Sequence, residues 1–250
     1  MHAPSFVLRG AIAALALLTV IHAPPVAAAP LPEVALERLA AGLTAPIEIA
    51  DPDDGTGRLF IAEQSGTTRI LTADGALLDE PWLDLRPRMV ALIEGFDERG
   101  LLGFALHPDF ATNGRFFATY TAALAPTAPE GWSHTRRVSE FTASPSAPDR
   151  VDPASERVLL SLDWPSRKHN GGGLAFGPDG YLYVGVGDAG GVHGLGIEVA
   201  HEAFDVPAHL RHWDAIAQDT ASLYGKILRL DVDRGMPGYA VPASNPLRED

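Results

Sequence analysis

Short apolar runs, each bounded by turn-forming residues, dominate the pattern of this sequence. Residues 59–62, 101–106, 116–118 and 182–186 are apolar or aromatic, and Pro, Asp and Gly separate them from their neighbours. Runs of this length and composition are typical of buried β-strands. Helical periodicity is weak, and only one helical insertion is a candidate, at 199–217. The pattern therefore predicts an all-β fold.

Three strand-turn-strand units repeat along the chain. In each unit Pro-Asp is followed by Gly, one further residue and an apolar run, and the units begin at Pro52, Pro108 and Pro178. Proline presets φ at the first central turn position, aspartate bonds back to the backbone, and glycine takes a positive φ. Because an apolar segment also precedes each turn, each unit is predicted to be a β-hairpin.

This repeat predicts a β-propeller with four-stranded blades and inserted loops. Further strands are expected at 67–71, 138–142, 158–162 and 227–232, which have β-rich or alternating composition. The units are spaced somewhat more widely than the roughly 40–50 residues of common propeller repeats, which inserted loops would explain. A β-sandwich also uses short strands and turns and is the alternative. The recurrent Pro-Asp-Gly unit favours the propeller.

The first 29 residues have the pattern of a secretory signal. Arg9 precedes an apolar run at 10–21, and the small residues at 27–29 suit signal peptidase. The apolar run is too short to cross a bilayer, which takes about 20 residues. We therefore expect a cleaved signal peptide at 1–29, a partial propeller domain at 30–250, and export to the periplasm or the medium. No membrane span is expected in the mature chain.

Composition narrows the chemistry further. The net charge is −13, with 19 Lys and Arg against 32 Asp and Glu. A nucleic-acid groove needs cations to neutralise phosphates, so no nucleic-acid partner is expected. The sequence contains no cysteine, which excludes disulfides, thiolate metal sites and cysteine nucleophiles.

Four segments carry a resemblance to a known family. They are RLFIAEQSG at 58–66, ERGLLGFALHPDF at 98–110, HNGGGLAFGPDGYLY at 169–183 with GVGDAGG at 185–191, and LYGKILRLDVD at 223–233. In this order they resemble the glucose/sorbosone dehydrogenase family, the soluble quinoprotein aldose-sugar dehydrogenases. The resemblance implies a six-bladed β-propeller with pyrroloquinoline quinone (PQQ) at the mouth of its tunnel and Ca²⁺ behind it. It also implies oxidation of the anomeric hydroxyl of an aldose sugar to the lactone, by hydride transfer to the quinone.

The resemblance makes His169 the catalytic base that takes the hydroxyl proton. An imidazole has an ordinary pKa of about 6.5, which suits a general base at neutral pH. Asp188 follows the strand predicted at 182–186 and matches a family acid beside that histidine, where a carboxylate would hold the tautomer. The plainer interpretations are a loop histidine without a role and an aspartate that only closes an Asx-turn.

Four further residues are candidates for binding the cofactor. The resemblance assigns to Gln64 a hydrogen bond to the quinone, although a turn residue at a strand end would look the same. Lys168 stands where a well-studied family member has an acidic residue; it could pair with a PQQ carboxylate or mark changed cofactor handling. Asn170 and Gly171 complete the set, and the glycines at 171–173 would let a flat ring approach the backbone. No residue is assigned to a metal.

Several other polar residues are given smaller roles. Glu98 and Arg99 are candidates for the tunnel rim, and His107 is expected to be structural, capping its turn. Four histidines fall within one stretch, where neutral imidazoles could bind Zn²⁺ or Cu²⁺. No acidic frame accompanies them, so a solvated loop is favoured. These histidines are His193, His201, His209 and His212.

The resemblance places the cationic groups for PQQ and the calcium ligands downstream of residue 250. The chain is therefore expected to supply about three to four blades and to bind PQQ and Ca²⁺ poorly by itself. Its expected partners are a small sugar substrate, an external electron acceptor and a downstream chain that completes the propeller. The alternatives are a non-catalytic exported propeller, serving as a binding module or an inactive fragment, and a metal-dependent lactonase. The four segments do not support the lactonase.

Overall fold

The apolar runs form antiparallel β-strands. The computed structural model describes residues 35–190, 216–235 and 238–247, and the strands of these residues lie in the unit Arg38–Asp250. The helical elements that lie wholly within the described ranges are α1 (Phe110–Asn113) and two 3₁₀ turns, at Arg86–Arg88 and Pro153–Ser155. The strands are β1 (Pro46–Ala50), β2 (Leu59–Glu63), β3 (Thr67–Leu71), β4 (Leu83–Asp84), β5 (Leu101–Leu106), β6 (Arg115–Ala122), β7 (His134–Thr142), β8 (Arg157–Trp164), β9 (Gly171–Phe176), β10 (Leu182–Val186) and β11 (Lys226–Leu230).

Each of the three sheets contains strands that are consecutive in the sequence. The first sheet has the order β1-β2-β3-β4, the second β5-β6-β7-β8, and the third, in the described residues, β11-β10-β9. Each sheet begins with one of the predicted hairpins, and all three pairs are antiparallel. The turn glycines Gly57, Gly114 and Gly180 have φ of +69°, +64° and +79°. The hairpins and the all-β class are therefore confirmed.

Two apolar cores lie on opposite faces of the second sheet. Phe116 on β6 packs into a core shared with the first sheet, which includes Phe60 and Trp82. Its neighbour Phe117 belongs to the other core, shared with Leu182 of the third sheet. Successive side chains of a strand point to opposite faces, so adjacent aromatic residues serve two different cores. The central sheet is buried on both faces, as expected for sheets stacked face to face.

Several strands are longer than predicted, and one was not predicted. The strand expected at 138–142 begins at His134, and the strand expected at 158–162 extends over Arg157–Trp164. The polar residues 134–136 hid the start of β7, although all three are buried. The two-residue β4 pairs with β3 alone, and it is too short to produce an alternating pattern. Local composition could not reveal either feature.

Several predicted features lie outside the described residues. These include the signal peptide at 1–29 and His193, His201, His209 and His212. The helical insertion at 199–217 also lies outside them, except for its last two positions. Among the helices that the structure does describe, none has the length and apolar character needed to cross a bilayer.

The buried polar residues of β7 carry the largest pKa shifts of the interior. His134 is fully buried, its ring stacks at 6.2 Å from the Trp164 ring, and burial lowers its pKa to about 4. Arg136 is 1% exposed, and burial lowers its pKa to about 10, so it remains a cation at neutral pH. At neutral pH the interior therefore holds His134 as a neutral imidazole and Arg136 as a cation.

Stability should fall on acidification because of His134. Its pKa is about 4 in the folded chain and near 6.5 when unfolded, so the unfolded chain binds the extra proton over that window. Between pH 7 and pH 5 this linkage should remove about 2 kcal/mol of unfolding free energy. His134→Gln should remove that part of the pH dependence. Urea unfolding of both proteins at the two pH values measures it, and equal losses in both would contradict the prediction.

Candidate active site

An open cleft of about 480 Å³ lies where loop 91–99, here named the cleft loop, meets the start of β9. The loop precedes β5 of the second sheet, whereas β9 begins the third, so residues of two sheets face one space. The walls also include residues of β1 and the turn after β2. The lining residues are Ile47, Gln64, Gly95, Phe96, Asp97, Glu98, Leu102, His169, Asn170 and Gly171. The cleft thus contains four of the predicted site residues: Gln64, His169, Asn170 and Gly171.

His169 and Asp188 form a hydrogen-bonded pair at this cleft. Nδ1 of His169 lies 2.8 Å from Oδ1 of Asp188, and the side chains are 48% and 43% exposed. Burial opposes ionisation of Asp188, but hydrogen bonds from Gly190 N and His169 and the imidazole charge outweigh it and hold its pKa below the ordinary value. A carboxylate at Nδ1 selects the tautomer with hydrogen on Nδ1. Nε2 of His169 therefore has its lone pair available.

The backbone of His169 is in the left-handed region. Its φ is +53°, which costs a residue with a Cβ about 1 kcal/mol. Its N–H donates to Oε2 of Glu98 at 2.6 Å, and the next residue, Asn170, donates from Nδ2 to the Glu98 carbonyl at 3.1 Å. Contacts to the cleft loop therefore offset the unfavourable conformation.

Close backbone packing surrounds the histidine. A Cβ at Gly187 would lie 1.7 Å from the His169 carbonyl oxygen, and one at Gly190 would lie 3.1 Å from Cγ of His169. The loop after β10, which carries Asp188, can approach His169 only because these positions have no side chain. The distance of the His169–Asp188 pair therefore depends on these glycines.

The glycines at 171–173 have different roles from one another. A Cβ at Gly171 would lie 2.5 Å from Gly187 N, and one at Gly172 would lie 2.5 Å from Cβ of Leu102. These two residues allow β9 to pack closely against β10 and β5. Gly173 has no atom within 4 Å of its Cβ position. The free space that was expected at all three positions is therefore present at Gly173 alone.

Gln64 supports the cleft loop from below. Its Nε2 donates to the carbonyls of Asp97 at 2.6 Å and Arg99 at 2.8 Å. Arg99 is buried and pairs with Asp97 at 2.7 Å. Burial opposes ionisation of Asp97, but the Arg99 side chain and the backbone N–H groups of Ile93 and Arg99 lower its pKa to about 2. Of the two rim candidates, Glu98 lines the cleft, whereas Arg99 is buried beneath the loop and does not line it.

Lys168 and His107 lie outside the cleft lining. The carbonyl of Lys168 accepts from Trp164 Nε1 at 3.0 Å, and its N–H donates to Ser166 Oγ at 3.0 Å. These bonds place its backbone beside that of His169. His107 is buried, accepts from Asp109 N at 3.0 Å through Nδ1, and lies 3.2 Å from Asp233 through Nε2. It caps its turn, as the sequence predicted.

Arg136 is a site-supporting residue that the sequence did not reveal. Its guanidinium donates to the Asn170 carbonyl and the Gly185 carbonyl, each at 2.9 Å, and to Thr119 Oγ1 at 3.1 Å. These carbonyls lie at the ends of β9 and β10, next to His169 and Asp188. A basic residue beside two other polar residues in a β-rich run was the available signal, but the pattern does not show which carbonyls it would reach.

The sequence matches the family model of glucose/sorbosone dehydrogenases over residues 43–250. The chain belongs to this family. A Hedgehog-interacting protein from Mus musculus is 37% identical over 213 residues, which make up 84% of this chain and 28% of that protein. An oxidoreductase from Thermus thermophilus, described as a glucose dehydrogenase, is 31% identical, with a TM-score of 0.52 over 77% of this chain and 45% of that one.

A second solved structure supports the fold. The PQQ-bound aldose sugar dehydrogenase from Streptomyces coelicolor is 25% identical, with a TM-score of 0.56 over 82% of this chain and 52% of that chain. The three sheets of the present chain are therefore blades of a β-propeller of the six-bladed quinoprotein type. The chain spans about half the length of the solved structures that it matches and under a third of the Hedgehog-interacting protein.

Substituting Gly187 should disrupt this site, whereas substituting Gly173 should not. Gly187→Ala would place Cβ against the His169 carbonyl, while Gly173→Ala enters open space. We expect Gly187→Ala to lower the unfolding free energy by about 3 kcal/mol or more and Gly173→Ala to change it by less than about 0.5 kcal/mol. Urea unfolding of the two variants measures both effects. Equal stability of the two proteins would refute the proposed contact.

Proposed function

We propose that the chain serves PQQ-dependent oxidation of the anomeric hydroxyl of an aldose sugar to the lactone, with His169 as the base. The observation that carries this proposal is the 2.8 Å bond between His169 Nδ1 and Asp188 Oδ1 at the edge of an open cleft. A base held in one tautomer by a carboxylate is suited to accepting a proton from a sugar hydroxyl. Membership of the glucose/sorbosone dehydrogenase family supports the same reaction class.

The residues of the chain have distinct parts in this proposal. Nε2 of His169 accepts the hydroxyl proton, and the Asp188 carboxylate stabilises the imidazolium that forms. Both side chains are about half exposed, so a bound sugar would have to displace water before the pair acts at full strength. The quinone, when bound, supplies the acceptor for the hydride that leaves the anomeric carbon.

The cleft has apolar walls, but its charge does not fit PQQ. Phe96 and Ile47 offer apolar walls, and Gly173 leaves open space nearby. The lining contains neither lysine nor arginine; its acidic residues are Glu98 and Asp97, and the Asp97 carboxylate is neutralised by Arg99. Three PQQ carboxylates need cations in a partly buried site. We therefore infer that these cations, and the calcium ligands, come from residues beyond the cleft lining.

A second function also has support from a specific observation. The match to a Hedgehog-interacting protein, at 37% identity over 84% of this chain, links the sequence to a relative named for a protein interaction. A cleft without cationic lining is consistent with a propeller whose surface binds a protein and whose cleft carries out no oxidation. The proposed alternative is thus an exported binding module without catalysis.

The proposed organisation places either function outside the cytoplasm. We propose a signal peptide at 1–29 and a partial propeller domain at 30–250, with periplasmic or secreted localisation. An exported dehydrogenase would need an external electron acceptor. Amino-terminal sequencing of the protein recovered from the periplasm or the medium tests the cleavage position, and recovery of an intact amino terminus from the cytoplasm would overturn this assignment.

The chain should bind PQQ weakly by itself because the cleft lining contains no lysine or arginine to pair with the PQQ carboxylates. We expect a dissociation constant weaker than about 0.1 mM, with or without Ca²⁺. Isothermal titration of PQQ into the chain measures it, and the related aldose sugar dehydrogenase that is known in a PQQ-bound form is the positive control. Micromolar or tighter binding that requires Ca²⁺ would show that the chain supplies the cations itself.

Sugar oxidation by the chain should depend on His169. With PQQ at millimolar concentration, Ca²⁺ and an aldose, His169→Gln should lower dye reduction by about 1,000-fold and Asp188→Asn by about 100-fold. Glu94→Gln, on the same loop as Glu98 but outside the lining, is the control and should retain wild-type activity. A wild-type chain that is folded and inactive at saturating PQQ would favour the binding module.

A further inference from the structure

We propose that Glu98 is the positioning residue for His169, acting as a hydrogen-bond acceptor for its backbone. This inference rests on the proposed function, because it explains how the base of that reaction is held. The Glu98 carboxylate accepts from His169 N at 2.6 Å, and the Glu98 carbonyl accepts from Asn170 Nδ2 at 3.1 Å. One residue of the cleft loop thus binds two successive residues that lie just before β9.

The conformation of His169 needs such an acceptor. With φ at +53°, its N–H points toward the cleft loop, where the Oε2 of Glu98 receives it. A residue with a Cβ would otherwise favour a negative φ. That change would rotate the Cα–Cβ bond and carry Nδ1 away from Asp188 Oδ1. The bond to Glu98 therefore determines where the imidazole lies.

The loop that presents Glu98 is itself fixed. Arg99 donates from Nη2 to the carbonyl of Ala91 at 3.1 Å and pairs with Asp97, while Asp97 accepts from Ile93 N at 2.9 Å. Gln64 holds the carbonyls on both sides of Glu98. The carboxylate of Glu98 is thus presented by a preorganised support, as a positioning group requires.

The charged groups around His169 set the background for any pH effect. Asp188 faces its Nδ1 from the loop after β10, and Glu98 faces its backbone from the cleft loop. Lys168 precedes it in the chain, and its Cβ packs toward the Gly190 position. Because Glu98 contacts the backbone, its hydrogen-bond acceptor should matter more than its charge. This distinction makes the role of Glu98 testable.

The decisive measurement is the tautomer of the His169 imidazole in the ligand-free chain. The chain is labelled with ¹⁵N-histidine, its histidines are observed by NMR at mildly alkaline pH, and His169→Gln identifies the signals of residue 169. Glu98→Ala removes the acceptor, Glu98→Gln keeps an acceptor oxygen without the charge, and Glu94→Ala removes a carboxylate from the same loop.

The expected pattern separates positioning from charge. The wild type, Glu98→Gln and Glu94→Ala should show hydrogen on Nδ1 of His169. Glu98→Ala should shift its signals to the Nε2–H form that free imidazole favours, with the signals of the other histidines unchanged. Wild-type signals in Glu98→Ala would overturn the proposal, and so would a Glu98→Gln spectrum that matches Glu98→Ala. If Glu98→Ala fails to fold, Glu98→Met, which also lacks an acceptor oxygen but fills the same space, takes its place with the same expected result.

Steady-state kinetics of the Glu98 variants provide a second test that is independent of the NMR spectra. If the chain oxidises an aldose, Glu98→Ala should lower kcat about 100-fold with KM within about 3-fold, and Glu98→Gln should restore most of the loss. The NMR experiment needs neither cofactor nor sugar. An inactive wild type with the expected tautomer pattern would therefore contradict the proposed function while supporting the role of Glu98.

Discussion

The buried guanidinium of Arg136 is the interaction on which the arrangement of the site depends. It lies between the second and third sheets, and its bonds reach Thr119, the Asn170 carbonyl and the Gly185 carbonyl. A buried cation is costly unless its donors are satisfied, and each bond from a charged donor is worth about 1.5–3 kcal/mol. Here neutral oxygens of both sheets satisfy it. The cation therefore ties the ends of β9 and β10 to β7, and these are the strand ends beside His169 and Asp188.

The site also depends on positions that have no side chain. Gly187 and Gly171 let the loop after β10 approach the start of β9 within backbone contact distance, and Gly172 does the same toward β5. The His169–Asp188 pair is placed on rigid backbone by these approaches and by the Glu98 contact. A base whose surroundings are already in place needs little rearrangement when a ligand arrives, which is the condition for efficient proton transfer.

The charge of the cleft lining bears on what the family assignment implies. The chain has the fold of quinoprotein sugar dehydrogenases and a histidine–carboxylate pair at its cleft, yet the lining contains no lysine or arginine where a tricarboxylate cofactor needs cations. The histidine–carboxylate pair and the residues that support it are contained in this chain. The binding of an anionic cofactor is not explained by the residues that line the cleft. Sugar oxidation with PQQ would need cations at the cleft, whereas binding of a protein by the same scaffold would not.

The sequence by itself determined most of the strands, the hairpins and the family. Turn chemistry at Pro-Asp-Gly and the alternation along each run act over a few residues, so they can be read from the sequence alone. The pairing of His169 with Asp188 was expected from the family motif. The tertiary structure alone revealed that Glu98 binds His169, that Arg136 reaches the Asn170 and Gly185 carbonyls, and that Gln64 supports a loop. These contacts join residues of different sheets, and only the packing of the sheets decides which distant groups meet.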